Sequence, residues 1–169
     1  VPTYEAPVAA PALTFLTENI RPFENAIPFY DLKVAAGSFS AEQLPEEVRW
    51  VAVPDSVRPS RDLFVCQVLG ESMNKVIPNG AYCLFRTYSG GSRNGQIVLV
   101  ARSGIQDADY GSCYTIKEYE SKKREDADGW KHETIILKPL TTADGYLPIM
   151  LEEDELRAFR VIGVFVRVL

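Results

Sequence analysis

Residues 114–137, YTIKEYESKKREDADGWKHETIIL, contain two strand-like runs on either side of a charged segment. The runs occupy residues 114–120 and 130–137, and the charged segment between them covers residues 121–129. That segment ends in Asp128-Gly129, a dipeptide that favours a tight turn between antiparallel strands. The stretch therefore predicts a β-hairpin with a charged tip.

The rest of the chain follows the same plan, with short strand-like runs separated by turns. Such runs occupy residues 27–35, 50–53, 63–69, 81–86, 96–102, 147–151 and 161–169. One short helix is expected over residues 40–47, where Ser40 is a suitable N-cap. Many short strands with little helix predict a mainly β fold around one core.

Residues 1–26 differ from the rest and predict an N-terminal arm or linker. Pro2, Pro7 and Pro11 stand among alanines, which disfavours a continuous helix and favours an extended segment. Its apolar side chains suggest that this Pro/Ala-rich arm packs on something. The globular domain is then expected over residues 27–169.

The composition is that of an ordinary globular protein. Of the 169 residues, 46% are hydrophobic and 24% charged, which argues against disorder. The apolar runs are too short to cross a bilayer, so we expect no membrane partner. The formal net charge of -5 lacks the electrostatic footprint of a nucleic-acid-binding protein. Because the chain begins at Val1, we expect a fragment, a processed product or one domain of something longer.

The cysteines predict neither disulfides nor a metal site. Cys66, Cys83 and Cys113 are widely spaced in strand-like runs, whereas zinc ligands usually come in pairs two to four residues apart. His132 is the only histidine. We therefore expect buried free thiols, no metal and no cofactor, as suits a reducing cytoplasm.

Gly70-Glu71-Ser72-Met73 directly follows the run over residues 63–69. A serine after a glycine at the end of a strand can be presented on a tight turn, with backbone N–H groups converging nearby as an oxyanion hole. The motif is also common in ordinary turns, so its chemistry depends on a partner base. His132 would have to serve any Ser–His–Asp triad, and it lies on a polar run beside the charged tip.

Lys117 is the other candidate base. Alternation along its run puts Thr115, Lys117 and Tyr119 on one face and Ile116 on the other. A lysine accepts a proton only when neutral, so its pKa must lie well below the ordinary value of about 10.4. Burial among apolar groups has that effect because it disfavours the ammonium form. From the residues alone, a solvent-facing strand lysine is the simpler interpretation.

Four motifs in a fixed order strengthen the catalytic interpretation. They are GESM at 70–73, IPNG at 77–80, NGQIVLVA at 94–101 and YTIK at 114–117. Together they resemble the LexA-type Ser–Lys peptidase domain, a family that includes phage repressor C-terminal domains and UmuD-like proteins. The resemblance covers roughly residues 27–169 and implies a signal-peptidase-like β domain of short, highly twisted strands. Ala81 and Gln96 stand where family members often have an acidic residue, but neither position carries the chemistry.

The resemblance also implies a site and a substrate. Ser72 would be the nucleophile and Lys117 the general base, with the backbone N–H groups of Ser72 and Met73 holding the oxyanion. Upstream, DLKVAAG at 31–37 resembles the self-cleavage region of the family, where an Ala–Gly bond is cut. The Ala36-Gly37 bond, within residues 27–50, is therefore the expected cleavage site. The alternative is that these small residues are simply a strand end leading into a turn.

For the whole protein the resemblance implies a self-cleaving serine peptidase domain of a transcriptional repressor or SOS-type stress regulator in the cytoplasm. Its partners would be itself as cleavage substrate, a second copy in a homodimer, an activating protein, and DNA only through a segment outside this chain. The apolar run over residues 161–169 is the expected edge for dimerisation. Two alternatives stay open: a non-proteolytic sensor or dimerisation module of the same fold, and a regulatory domain fused to a larger nucleic-acid-processing enzyme.

Overall fold

The computed structural model describes residues 13–32, 48–88, 90–102, 113–129, 131–152 and 159–169. Ten strands lie in these ranges: β1 Thr14–Leu16, β2 Ile27–Phe29, β3 Arg49–Ala52, β4 Leu63–Gln67, β5 Tyr82–Thr87, β6 Ile97–Arg102, β7 Tyr114–Glu125, β8 Lys131–Lys138, β9 Ile149–Leu151 and β10 Phe159–Val168. The described residues contain no helix, and hence none long and apolar enough to span a membrane. The predicted mainly β class is confirmed. The short helix predicted over residues 40–47 and the Ala36-Gly37 bond lie outside the described residues.

All ten strands form one mixed sheet, in the order β1-β3-β2-β4-β5-β10-β6-β7-β8-β9. The pairing of β2 with β4 is parallel, and the other described pairings are antiparallel. β10 lies in the interior of the sheet, paired on one side with β5 and on the other with β6. The expectation that the C-terminal run forms a dimerisation edge is therefore wrong.

The β7–β8 hairpin extends further than the sequence indicated. β7 continues as far as Glu125, and its register sets Lys123 opposite Glu133. Opposite charges that face each other stabilise an antiparallel pair. The charged residues 121–125 therefore lengthen the strand instead of forming a tip, and the turn begins after Glu125. In that turn the Gly129 N–H donates to Asp126 O at 3.1 Å.

The segment expected as an arm, residues 1–26, is described from residue 13 onward. Its strand β1 pairs with β3 at one edge of the sheet. The ring of Phe15 packs edge-on against Phe29, with centroids 5.2 Å apart, and Ala26 is fully buried. The described part of this segment thus packs on the domain.

Buried side chains form three clusters that divide between the two faces of the sheet. β4 shows the division: Phe64 and Cys66 belong to the central cluster, whereas Leu63 and Val65 belong to the cluster beneath β1–β5. Successive side chains of a strand point to opposite faces, so a strand that is apolar at consecutive positions is covered on both. The central cluster also contains Met73, which belongs to the turn after β4. This cluster therefore positions the candidate site.

Candidate active site

Ser72 lies in the turn of residues 71–77, between β4 and β5. Gly70 enters this turn with φ at 86°, a left-handed conformation that glycine adopts readily and other residues disfavour. The Gly70 N–H donates to Asn79 Oδ1 at 2.8 Å, and the Ile77 N–H donates to Met73 O at 2.8 Å. The local sequence therefore folds the chain back on itself around Ser72.

Met73 and Ile77 fix this turn to the sheet. They are 1% and 0% exposed, and they pack in the central cluster with Leu99 of β6 and Ile116 of β7. Full burial of an aliphatic side chain contributes about 1.5–3 kcal/mol. These two side chains hold the turn against the strands next to Lys117.

Lys117 reaches the turn from β7. Its Nζ lies 3.3 Å from Ser72 Oγ, 2.8 Å from Thr115 Oγ1 and 3.1 Å from Ile116 O. Ser72 and Lys117 are both 4% exposed, which excludes the solvent-facing interpretation of this lysine. The predicted nucleophile and the predicted base are thus in contact, inside the protein and on the face that the strand alternation indicated.

Three oxygens lie within hydrogen-bond reach of Lys117 Nζ, and they suit an ammonium group as well as a neutral amine. An ammonium group has three donors and no acceptor, and the loss of one proton leaves two donors and a lone pair. Ile116 O can only accept, and Thr115 Oγ1 is the nearest oxygen, so these two atoms suit the two remaining N–H groups. In the neutral amine the lone pair is then left for the Ser72 hydroxyl, whose Oγ lies 3.3 Å from Nζ.

The backbone N–H groups of Ser72 and Met73, predicted to hold an oxyanion, form no hydrogen bond to any described residue. The next two N–H groups in the turn are used: Asn74 N donates to Glu71 O at 3.2 Å, and Lys75 N donates to Leu140 O at 3.0 Å. Two adjacent donors beside Ser72 Oγ therefore remain for a ligand oxygen.

A family profile described as Peptidase S24-like matches residues 28–166, most of the chain. The chain belongs to the Peptidase S24-like family. The suspected resemblance to a LexA-type domain is confirmed, and the matched region includes both Ser72 and Lys117. Among curated proteins no match was found. Membership in this family supports a serine-peptidase-type fold for the domain.

The other chemical candidates do not join the site of this S24-like domain. His132 pairs in register with Arg124 of β7, about 23 Å along the strand from Lys117. Within the described ranges, no group of three or more histidine, cysteine or acidic residues is arranged to hold a metal ion. Cys66 and Cys83 are buried and Cys113 is partly buried, and all three thiols are free.

The structure adds to the S24-like site a segment that sequence reasoning missed, residues 139–143 between β8 and β9. The Thr141 Oγ1–H donates to Glu71 O at 2.6 Å, directly before Ser72 in the chain. Threonines after a strand are typical of any polar loop, so nothing in the sequence distinguishes this one. Only the folded chain brings it to the turn.

Proposed function

We propose that this S24-like domain is a serine peptidase that cuts its own chain between Ala36 and Gly37. The observation that carries the proposal is the buried contact of 3.3 Å between Ser72 Oγ and Lys117 Nζ. A serine hydroxyl is a weak nucleophile until a base within hydrogen-bond reach takes its proton, and Lys117 is such a base.

The reaction balances with these groups and water alone. Ser72 Oγ attacks the carbonyl carbon of Ala36 as its proton passes to Lys117 Nζ, and the N–H groups of Ser72 and Met73 stabilise the oxyanion. Lys117 then gives the proton to the amide nitrogen of Gly37, the C–N bond breaks, and an ester joins Ala36 to Ser72. Lys117 next deprotonates a water that hydrolyses the ester, leaving a carboxylate on Ala36 and a free Ser72.

Leu32 supports cleavage within one chain. It is 3% exposed and packs in the central cluster that also holds Met73. Ala36 follows four residues later, and four residues reach at most about 14 Å. A scissile bond tethered to the same chain as Ser72 reacts with a high effective concentration, which favours attack in cis.

The same proposal makes the domain the regulatory part of a repressor or stress regulator, as the LexA-type resemblance implies. The net charge of -5 supports a division in which DNA contact belongs to a segment outside this chain. The partners in this proposal are the chain itself as substrate, a second copy, and an activating protein that accelerates cleavage.

The test is the rate of self-cleavage between pH 7 and 10, followed by intact mass. We expect the rate to rise with pH, because only a neutral lysine accepts the serine proton. Lys117→Met should abolish cleavage, whereas Lys122→Met, a matched change at an exposed lysine of the same strand, should retain the wild-type rate. Equal rates in these two variants would refute the role of Lys117.

A further inference from the structure

The sheet by itself does not bring Ser72 to Lys117. Ser72 follows β4, Lys117 lies on β7, and the strands β5, β10 and β6 lie between these two. Neighbouring strands are about 4.8 Å apart, so β4 and β7 would be about 19 Å apart in a flat sheet. The observed 3.3 Å between the two side chains therefore depends on what holds the turn 71–77 over β7.

The segment of residues 139–143, here called the clamp, is anchored beside Lys117. It follows β8 directly, and the last residue of β8, Lys138, pairs in register with Glu118 of β7. Glu118 is the residue after Lys117. The clamp is therefore connected directly to the strand pair that includes Lys117.

Thr141 joins the clamp to the turn on the N-terminal side of Ser72. Its hydroxyl donates to Glu71 O at 2.6 Å and accepts the N–H of Ala143 at 3.0 Å. The hydroxyl is thereby oriented by its own loop before it meets the turn. The carbonyl that it holds belongs to the peptide bond leading into Ser72.

Asn74 joins the same two segments on the C-terminal side of Ser72. Its Oδ1 accepts the Thr142 N–H at 2.9 Å. Its Nδ2 donates to Thr142 Oγ1 and to Glu71 Oε2, each at 3.1 Å. Both polar atoms of this amide are thus used: each bonds to Thr142 of the clamp, and Nδ2 also bonds to Glu71 of the turn.

We infer that Thr141 and Asn74 are positioning residues that hold Ser72 Oγ within reach of Lys117 Nζ. The inference rests on the proposed self-cleavage and deepens it. Neither residue touches the reacting atoms, and both act through the backbone on either side of Ser72. Because a misplacement of 1 Å can slow a reaction about 100-fold, loss of either contact should slow cleavage more than it destabilises the fold.

The test compares Thr141→Val with Thr87→Val. Thr87 Oγ1–H also donates to a backbone carbonyl, Asp62 O at 2.9 Å, but at the end of the β4–β5 pair that is opposite to the turn. We expect both variants to show similar small decreases in melting temperature. Cleavage should be about 100-fold slower than the wild type in Thr141→Val and unchanged in Thr87→Val. Asn74→Ala should be slowed at least tenfold, and Thr141→Ser, which retains the hydroxyl, should restore a rate within about threefold of the wild type.

A second readout does not need activity: amide hydrogen exchange by NMR at Lys75 and Ile77 in the turn. We expect exchange to become at least tenfold faster in Thr141→Val and to stay the same in Thr87→Val. Unchanged exchange in Thr141→Val would overturn the inference, and so would a cleavage rate equal to that of Thr87→Val. A wild-type chain that never cleaves would instead refute the proposed function and, with it, any positioning role in catalysis.

Discussion

Substitution of Gly163 by alanine tests the interior position of β10. A Cβ built there lies 2.7 Å from Cζ and 2.9 Å from Cε1 of Phe64, and 3.0 Å from the backbone oxygen of Arg86. Carbon atoms in contact prefer about 3.5–4.0 Å, so the ring of Phe64 would have to move by about 1 Å.

The surroundings leave Phe64 little room for such a shift. Its side chain is 3% exposed, and its ring stacks on Phe85 at 5.6 Å and meets Tyr30 edge-on, also at 5.6 Å. The third contact, the Arg86 oxygen, belongs to the backbone of β5, which pairs with β10. Forcing extra atoms into a packed core costs about 1–3 kcal/mol. We expect a value near the upper limit, about 3 kcal/mol, because both neighbours are fixed.

Urea and thermal unfolding measure this loss. For a chain of this size 1 kcal/mol lowers the melting temperature by about 2–4 °C, so Gly163→Ala should lower it by about 6–12 °C. Phe64→Leu in the same chain should relieve part of the clash, so that the double variant is more stable than the sum of the single losses predicts. A loss below about 0.5 kcal/mol, or strict additivity, would refute the packing of β10 against β4 and β5.

Three further predictions concern the core and its charges. Leu32→Ala should lower the free energy of unfolding in urea by about 2–3 kcal/mol. It should also slow self-cleavage, because it removes a buried anchor just before the cleavage segment. An unchanged cleavage rate would refute this role of the leucine. A thiol reagent should modify Cys113 first in the native protein and all three thiols only after unfolding, because burial raises the pKa of Cys83 to about 12 and that of Cys66 well above its ordinary value. Lys138 donates a hydrogen bond to Glu120 and so lowers the pKa of that carboxyl. The contribution of this pair to stability is therefore present above pH 4.5 and disappears as the pH falls through the lowered pKa. Glu120→Gln should therefore lose less stability than the wild type on acidification, and parallel losses in the two chains would contradict the pairing.

The local parts of this fold could be predicted from the sequence. The β7–β8 hairpin and the turn at Gly129 depend on neighbouring residues, so pattern and turn chemistry indicate them. Only the extent of the strands differs: the sequence predicts a charged tip over residues 121–129, whereas Lys123 faces Glu133 across the ladder.

The strand order could not be predicted, because it depends on pairings between distant residues. Nothing in the apolar run of β10 indicates that it inserts between β5 and β6. The burial of the Lys117 side chain could not be predicted for the same reason. Alternation gave the face that the side chain shares with Thr115, but the cover over that face comes from a turn 45 residues away. Motif order suggested the pairing of Ser72 with Lys117, and the clamp that holds it had no recognisable signal.

The most direct measurement is the intact mass of the purified chain during incubation at alkaline pH, beside Ser72→Ala. We expect two fragments, one ending at Ala36 and the other beginning at Gly37, that appear in the wild type and not in the variant. A cut at another bond, the same fragments in Ser72→Ala, or a wild-type chain that stays whole at every pH would contradict it.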